Sequence, residues 1–174
     1  MAKALLVVDV QPVWLDGNDF RTIDGDDLVA KCRGLIEQAR EAGVPVVHVR
    51  HFDEDDFPEG TATEAKDIHP ELKPLPGEPV VDKQFGSAFL ETNLEDVLTS
   101  NDIDHLVVCG LSSYGCVQAT ILYAKLYGYE VSVVGNAHAG PNMESFPTTK
   151  GLPIFERAWE RGGIRILGPD DARF

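Results

Sequence analysis

Three residues pair reactive side chains with positions at the ends of apolar runs. Cys116 closes the segment Gly110-Leu111-Ser112-Ser113-Tyr114-Gly115, between the run Leu106–Cys109 and a helical pattern that starts at Val117. This puts its thiol near a helix N-terminus, where unpaired N–H groups and the positive end of the dipole stabilise a thiolate and can also hold an oxyanion. Asp9 directly follows Leu5-Leu6-Val7-Val8. A carboxylate half desolvated at a sheet rim has its pKa raised toward the range of a general base. Lys83 follows Val80-Val81-Asp82, where an ammonium could stabilise a developing anion or depress a nearby thiol pKa. Each position also admits a plainer role: Asp9 as a cap or turn residue, Lys83 as a solvated lysine paired with Asp82, Cys116 as a packed thiol. Cys32 lies on an apolar helix stripe and Cys109 inside a buried strand, so both read as small hydrophobes.

The histidines point less clearly to chemistry. His48 alternates with apolar neighbours and reads as structural, and no HxH or HExxH pair occurs among His48, His51, His69, His105 and His138. His51, Asp53 and His69 are the one set that could meet across a loop to hold a metal, and the expectation is no metal and no cofactor. There is no phosphate-cradling glycine pattern, and the absence of Gly-x-Ser-x-Gly counts against a serine hydrolase.

The elements that must position these residues follow from hydrophobic patterning. Ala4–Val8, Val44–Val49, Leu106–Cys109, Val131–Val134 and Ile164–Leu167 are runs apolar on both faces, as strands of a covered parallel sheet are, with Val80-Val81 a weaker sixth. Helical spacing links Leu28, Val29, Cys32, Leu35, Ile36 and Ala39. It also links Phe89, Leu90, Leu94, Val97 and Leu98 (with Ser87 as N-cap), Val117, Thr120, Ile121, Ala124 and Leu126, and Ile154, Phe155, Ala158 and Trp159. Alternating strands and helices predict one open, doubly wound, mainly parallel α/β sheet with helices on both faces, over residues 1–174. Ligands of such sheets bind beyond the carboxyl ends of the strands, where Asp9, Lys83 and Cys116 fall. Residues 52–79 break the rhythm with five prolines. A stretch of that length reads as a surface excursion with a short turn near Glu64–Ile68, or as a functional cover.

Composition narrows the function classes. Fifteen Lys+Arg against 29 Asp+Glu leave a net charge of −14 over 174 residues, which repels nucleic-acid phosphates and anionic lipid. No apolar run approaches a membrane span, and the first is too short for a secretory leader. Three cysteines form no disulfide framework, which favours a reducing cytoplasm.

The residues resemble a known family, the isochorismatase-like cysteine hydrolases. Leu5-Leu6-Val7-Val8-Asp9-Val10-Gln11 resembles its opening strand. Val80-Val81-Asp82-Lys83 with Gly86-Ser87-Ala88-Phe89 resembles its lysine segment, preceded by Ile68-His69-Pro70-Glu71-Leu72. Leu106–Gly110 with Cys116-Val117, Thr120, Ala124-Lys125 and Gly128-Tyr129 resembles its nucleophile segment. Asn136-Ala137 stands where the family usually has Asp-Ala, and the tail after Ala139 diverges, with Pro141, Pro147 and Pro153 breaking it.

The resemblance implies a three-layer αβα fold and a triad of Asp9, Lys83 and Cys116. It also implies a cis peptide at Leu111–Ser112 that aims the Ser112 N–H, with that of Cys116, at one oxyanion. The expected reaction is cleavage of a C–N amide bond in a small molecule through a thioester. Trp14, Phe20, Phe85, Tyr114 and Phe146 are candidate pocket walls, each equally suited to core packing. A homo-oligomer, dimer or tetramer, is implied as well. A vinyl-ether hydrolysis of the isochorismate type needs no thiol, so the cysteine counts against it. The intact triad counts against a non-catalytic interaction protein on the same fold.

Overall fold

The structure is a computed structural model and describes residues 2–15, 24–141, 148–168, 171–172 and 174. Among them six strands form one sheet: β1 (Ala2–Val8), β2 (Val46–His51), β3 (Val80–Lys83), β4 (Ile103–Leu111), β5 (Glu130–Ala139) and β6 (Arg165–Leu167). The spatial order is β3-β2-β1-β4-β5-β6, and each neighbouring pair runs parallel. This is the open, doubly wound sheet that the apolar runs predict.

The period of two along each central strand feeds two cores. Ala4, Leu6 and Val8 of β1, with Leu106 and Val108 of β4, pack on one side against α3 (Leu94–Thr99), α4 (Cys116–Leu126) and Trp159 of α5 (Thr148–Arg161). Leu5 and Val7, with Val107, Cys109 and Leu111, pack on the other side against α2 (Gly25–Glu41), through Leu28, Val29, Cys32, Leu35, Ile36 and Ala39. A strand buried on both faces has no use for polar residues until it leaves the sheet, so the first polar residue after β1 sits at the rim.

Two expected helices differ from their patterns. The one drawn from Phe89 begins only at Leu94. The Ala88 N–H donates to Thr120 Oγ1 at 3.0 Å, Thr92 Oγ1 donates to the Ala88 carbonyl at 2.5 Å, and Glu91 adopts φ 56°. The left-handed backbone at Glu91 interrupts the right-handed turn, and the apolar spacing reports burial without helix. Ser87 Oγ accepts from the Phe89 N–H and caps this turn. In the tail, α5 runs through Pro153 instead of breaking there. At the sixth position of the helix the ring forgoes one i→i−4 hydrogen bond, and Trp159, 3% exposed, anchors the remainder.

The proline-rich stretch carries three one-turn 3-10 segments, Glu54–Asp56, Thr63–Lys66 and Pro70–Leu72. Buried Gln11 pins it to the sheet. Its Oε1 accepts from the His51 N–H at 2.9 Å, and its Nε2 donates to the carbonyls of His51 (3.0 Å) and Lys66 (2.5 Å). Phe57, Ile68 and Leu72 are buried beneath this excursion.

Candidate active site

The sheet order reverses between β1 and β4, and the crevice beyond the carboxyl ends of those strands is where such folds take ligands. Asp9 leaves β1 there with φ 50°. The left-handed conformation costs a non-glycine residue about 1–2 kcal/mol, least for Asp or Asn. It is held by the Asp9 N–H donating to the Val49 carbonyl (3.0 Å) and the Gln11 N–H donating to the Asp9 carbonyl (2.9 Å). Gly110, paired with Val8, approaches β1 so closely that a Cβ would lie 2.1 Å from the Val8 carbonyl oxygen, and its φ is +114°. Only glycine lets β4 run on to the Leu111–Ser112 peptide, which is cis. Cys116 then opens α4.

Lys83 ends the edge strand β3, whose exposure alternates from Val80 to Lys83. That alternation turns Asp82 outward, where it takes both Nε (2.7 Å) and Nη2 (2.9 Å) of Arg50, and turns Lys83 inward to 2% exposure. Lys83 is therefore not the solvated partner of Asp82. Its Nζ lies 2.7 Å from Asp9 Oδ2, 3.1 Å from the Phe85 carbonyl oxygen, 3.2 Å from His51 Nδ1 and 3.3 Å from Cys116 Sγ, four neighbours for three N–H donors. One ammonium thus joins a carboxylate from β1, a histidine from β2 and a thiol from α4. Burial alone would lower the Lys83 pKa, but Asp9 and then Cys116 outweigh it and raise it. Asp9 is 3% exposed, and its second oxygen, Oδ1, has no partner among the described residues.

The thiol differs from expectation. The helix N-terminus and the lysine predict a stabilised thiolate, yet burial, reinforced by the charge of Asp9, pushes the Cys116 thiol up to about 12 against the opposing pull of Lys83. The resting arrangement is a thiol beside a carboxylate–ammonium pair, and no standing thiolate is held here.

A cleft of about 290 Å³ opens over these groups, lined by Asp9, Trp14, His51, Asp56, Leu111, Ser112, Cys116 and Pro141. Trp14 stacks on Phe57 (centroids 5.4 Å apart) and meets the edge of His51 (6.1 Å). Phe85 supplies its carbonyl to Lys83, while its ring is 42% exposed and lines a separate depression with Phe52 and Glu91. Tyr114 donates its hydroxyl to the Pro141 carbonyl and packs its ring on Phe155 at 5.6 Å, so it braces a residue of the cleft wall. Phe20 and Phe146 lie outside the described residues.

His51 and Asp56 join the site without having been picked out for it. His51 Nε2 lies 2.7 Å from Asp56 Oδ2. The metal set of His51, Asp53 and His69 does not gather: Asp53 Oδ1 accepts from the Asp55 N–H, and His69 Nδ1 from the Glu71 N–H. Among the described residues no group of three or more His, Cys, Asp or Glu side chains could hold a metal. One signal for His51 lay in the sequence: it ends a strand as Asp9 and Lys83 do. Nothing marked Asp56 within its acidic run.

With this geometry in hand, residues 3–149 match the isochorismatase domain. The chain belongs to the isochorismatase family. This isochorismatase-family hydrolase is 36% identical over 146 residues to streptothricin hydrolase of Streptomyces noursei, covering 83% of this chain and 57% of that protein. It therefore spans little more than half the length of that relative. Against YddQ of Bacillus subtilis, an uncharacterized isochorismatase family protein, it is 31% identical over 146 residues, covering 83% of this chain and 81% of that one. The crystal structure of N-carbamoylsarcosine amidase from Thermoplasma acidophilum superposes with a TM-score of 0.83 at 29% identity over the whole of both chains.

Proposed function

We propose that this hydrolase cleaves a C–N amide bond of a small molecule, with Cys116 as nucleophile, Asp9 as general acid–base and Lys83 as the charge that holds them together. The observation that carries this reading is the Lys83 ammonium, within hydrogen-bond reach of both Asp9 and Cys116 beneath one cleft. The name of one structural relative, N-carbamoylsarcosine amidase, supports the same class.

The steps follow from the resting charges. As Cys116 Sγ attacks the carbonyl carbon, its proton passes to Asp9. The thiolate is never a stable species, and its charge moves into the substrate oxygen as it forms. The N–H groups of Ser112 and Cys116 receive that oxyanion, both residues lining the cleft. Asp9 delivers the proton to the leaving nitrogen, the C–N bond breaks, and a thioester remains. Asp9 then takes a proton from water as water attacks, and collapse of the second tetrahedral species returns it to the sulfur, releasing the carboxylic acid. Lys83 keeps its proton throughout and balances whichever neighbour is negative.

The three cysteines are free and no helix among the described residues is long and apolar enough to cross a membrane, which suits the proposed cytoplasmic setting. The homo-oligomer is likewise a proposal, supported by exposed Leu122, Leu126 and Tyr127 at the end of α4.

The test is a panel of small primary amides, scored for released ammonia and, after acid quench, for an acyl adduct on Cys116 by peptide mass spectrometry. Cys116→Ala should abolish ammonia release with an unchanged circular dichroism spectrum. Turnover retained by that variant would rule out the covalent route.

A further inference from the structure

We infer that the cleft takes an amide whose other end is positively charged, an ammonium or guanidinium group seated against Asp56. This rests on the amidase reading for the word amide; the preference for a cation rests on the cleft's own charges.

The argument is an inventory of protons. Lys83 has three N–H donors and is surrounded by Asp9 Oδ2, the Phe85 carbonyl, His51 Nδ1 and Cys116 Sγ. Its side chain is 0% exposed, so no donor is left for an anionic group of a ligand. An ammonium can only donate, so a hydrogen bond from Lys83 to His51 Nδ1 puts the ring's proton on Nε2, 2.7 Å from Asp56 Oδ2. In that tautomer the ring bridges Lys83 and Asp56 without adding a charge of its own.

Asp56 lines the cleft with a side chain 58% exposed. Across the same cleft, Asp9 Oδ1 is buried and has no partner among the described residues, while Oδ2 is paired with Lys83. Among the described residues no lysine or arginine lines the cleft. The nearby Lys66 lies over the Phe57 ring at 5.1 Å and is paired with Glu54. Trp14, stacked on Phe57, lines the same cleft. An anionic substituent would meet the Asp56 carboxylate and, among the described residues, no free donor cation. A cationic one meets that carboxylate and a protein of net charge −14 that draws it in.

Two measurements separate this from the amidase reading. The first needs no turnover: the rate at which Cys116 is modified by a cationic trimethylammonium-ethyl methanethiosulfonate and by its anionic sulfonatoethyl counterpart, each divided by its rate on free cysteine. The cationic reagent should lead by about fivefold or more at low salt, and Asp56→Asn should cut that ratio several-fold, as loss of one exposed charge contact would. The second compares 4-aminobutanamide, pentanamide and succinamate as substrates. The expected order of kcat/KM is cationic, neutral, anionic, and Asp56→Asn should compress the cationic-to-neutral ratio. A reagent ratio near one, or one unmoved by Asp56→Asn, overturns the inference. A strong, Asp56-dependent ratio without turnover of any amide upholds the cationic site and overturns the amidase reading instead.

Discussion

Strand β2 carries two buried histidines, His48 and His51, and each belongs to a polar cluster beside a cavity. At the amino end, His48 Nε2 lies 3.2 Å from Glu78, which also takes Nε and Nη2 of Arg40, both at 2.8 Å, and the Leu75 N–H at 2.7 Å. At the carboxyl end, His51 meets Lys83, which meets Asp9 and Cys116. The adjoining cavities are of similar size, about 250 and 290 Å³. The ingredients match: a cation, a carboxylate and a histidine. The difference is in the carboxylates. Both oxygens of Glu78 are satisfied, and although burial opposes it, the bonds from Arg40, Leu75 and His48 hold its carboxyl down to about 2. Asp9 has one oxygen unpartnered and faces a thiol. A satisfied buried acid holds structure together; an unsatisfied one beside a nucleophile is available for proton transfer.

The same substitution at the two ends should have opposite effects. Asp9→Asn should lower kcat/KM by about 10³-fold or more, since proton removal from sulfur and delivery to nitrogen both fail. Glu78→Gln should leave kcat/KM per folded molecule unchanged. If the two variants lost activity equally, the distinction between the clusters would collapse.

Lys83→Met sharpens the comparison by removing only the charge. It should cost about 10²-fold in kcat/KM. Because the Cys116 pKa stands at about 12 even with Lys83 pulling it down, removing that charge raises it further, and Cys116 alkylation in the variant should be slower at every pH. In the unaltered protein, iodoacetamide reactivity should still be climbing above about pH 10, where a free thiol, half ionised near pH ~8.5, has levelled off. A profile with its midpoint near pH ~8.5 would show that burial and Asp9 do not hold the proton on sulfur.

At the structural end the effect is read in stability. The folded-state pKa of Glu78 is depressed, so its contribution is present in full above the unfolded carboxyl value and is lost as pH falls toward 2. A shift of this size is worth up to about 3 kcal/mol. Urea denaturation between pH 5 and 2 should therefore show a steeper loss for the unaltered protein than for Glu78→Gln. Cys32→Ala should have the smallest effect, about 1 kcal/mol, from the space left in a face that is 0% exposed. It should not alter Cys116 alkylation.

Residue pattern alone placed Asp9 and Cys116 at the rim, because an apolar strand buried on both faces must leave the sheet before its first charged group, and because a glycine-bounded loop before helical spacing marks a helix start. The six strands were legible for the same reason. What pattern left open for Lys83, inward or solvated, was decided by the pairing of β3 with β2, which gave Asp82 to Arg50 and turned its neighbour in. His51 and Asp56 entered the site through contacts no spacing encodes, and the helix drawn from Phe89 is interrupted at Glu91, whose φ is 56°. The thiol shows the limit most clearly. A helix N-terminus is a local feature and argues for a thiolate, whereas burial and the charge of Asp9 act through space and reverse it. Local order and periodicity therefore determined the fold and the reactive types. Tertiary structure decided which of them touch and where the proton rests, since desolvation and Coulomb energy depend on distances between residues far apart in the chain.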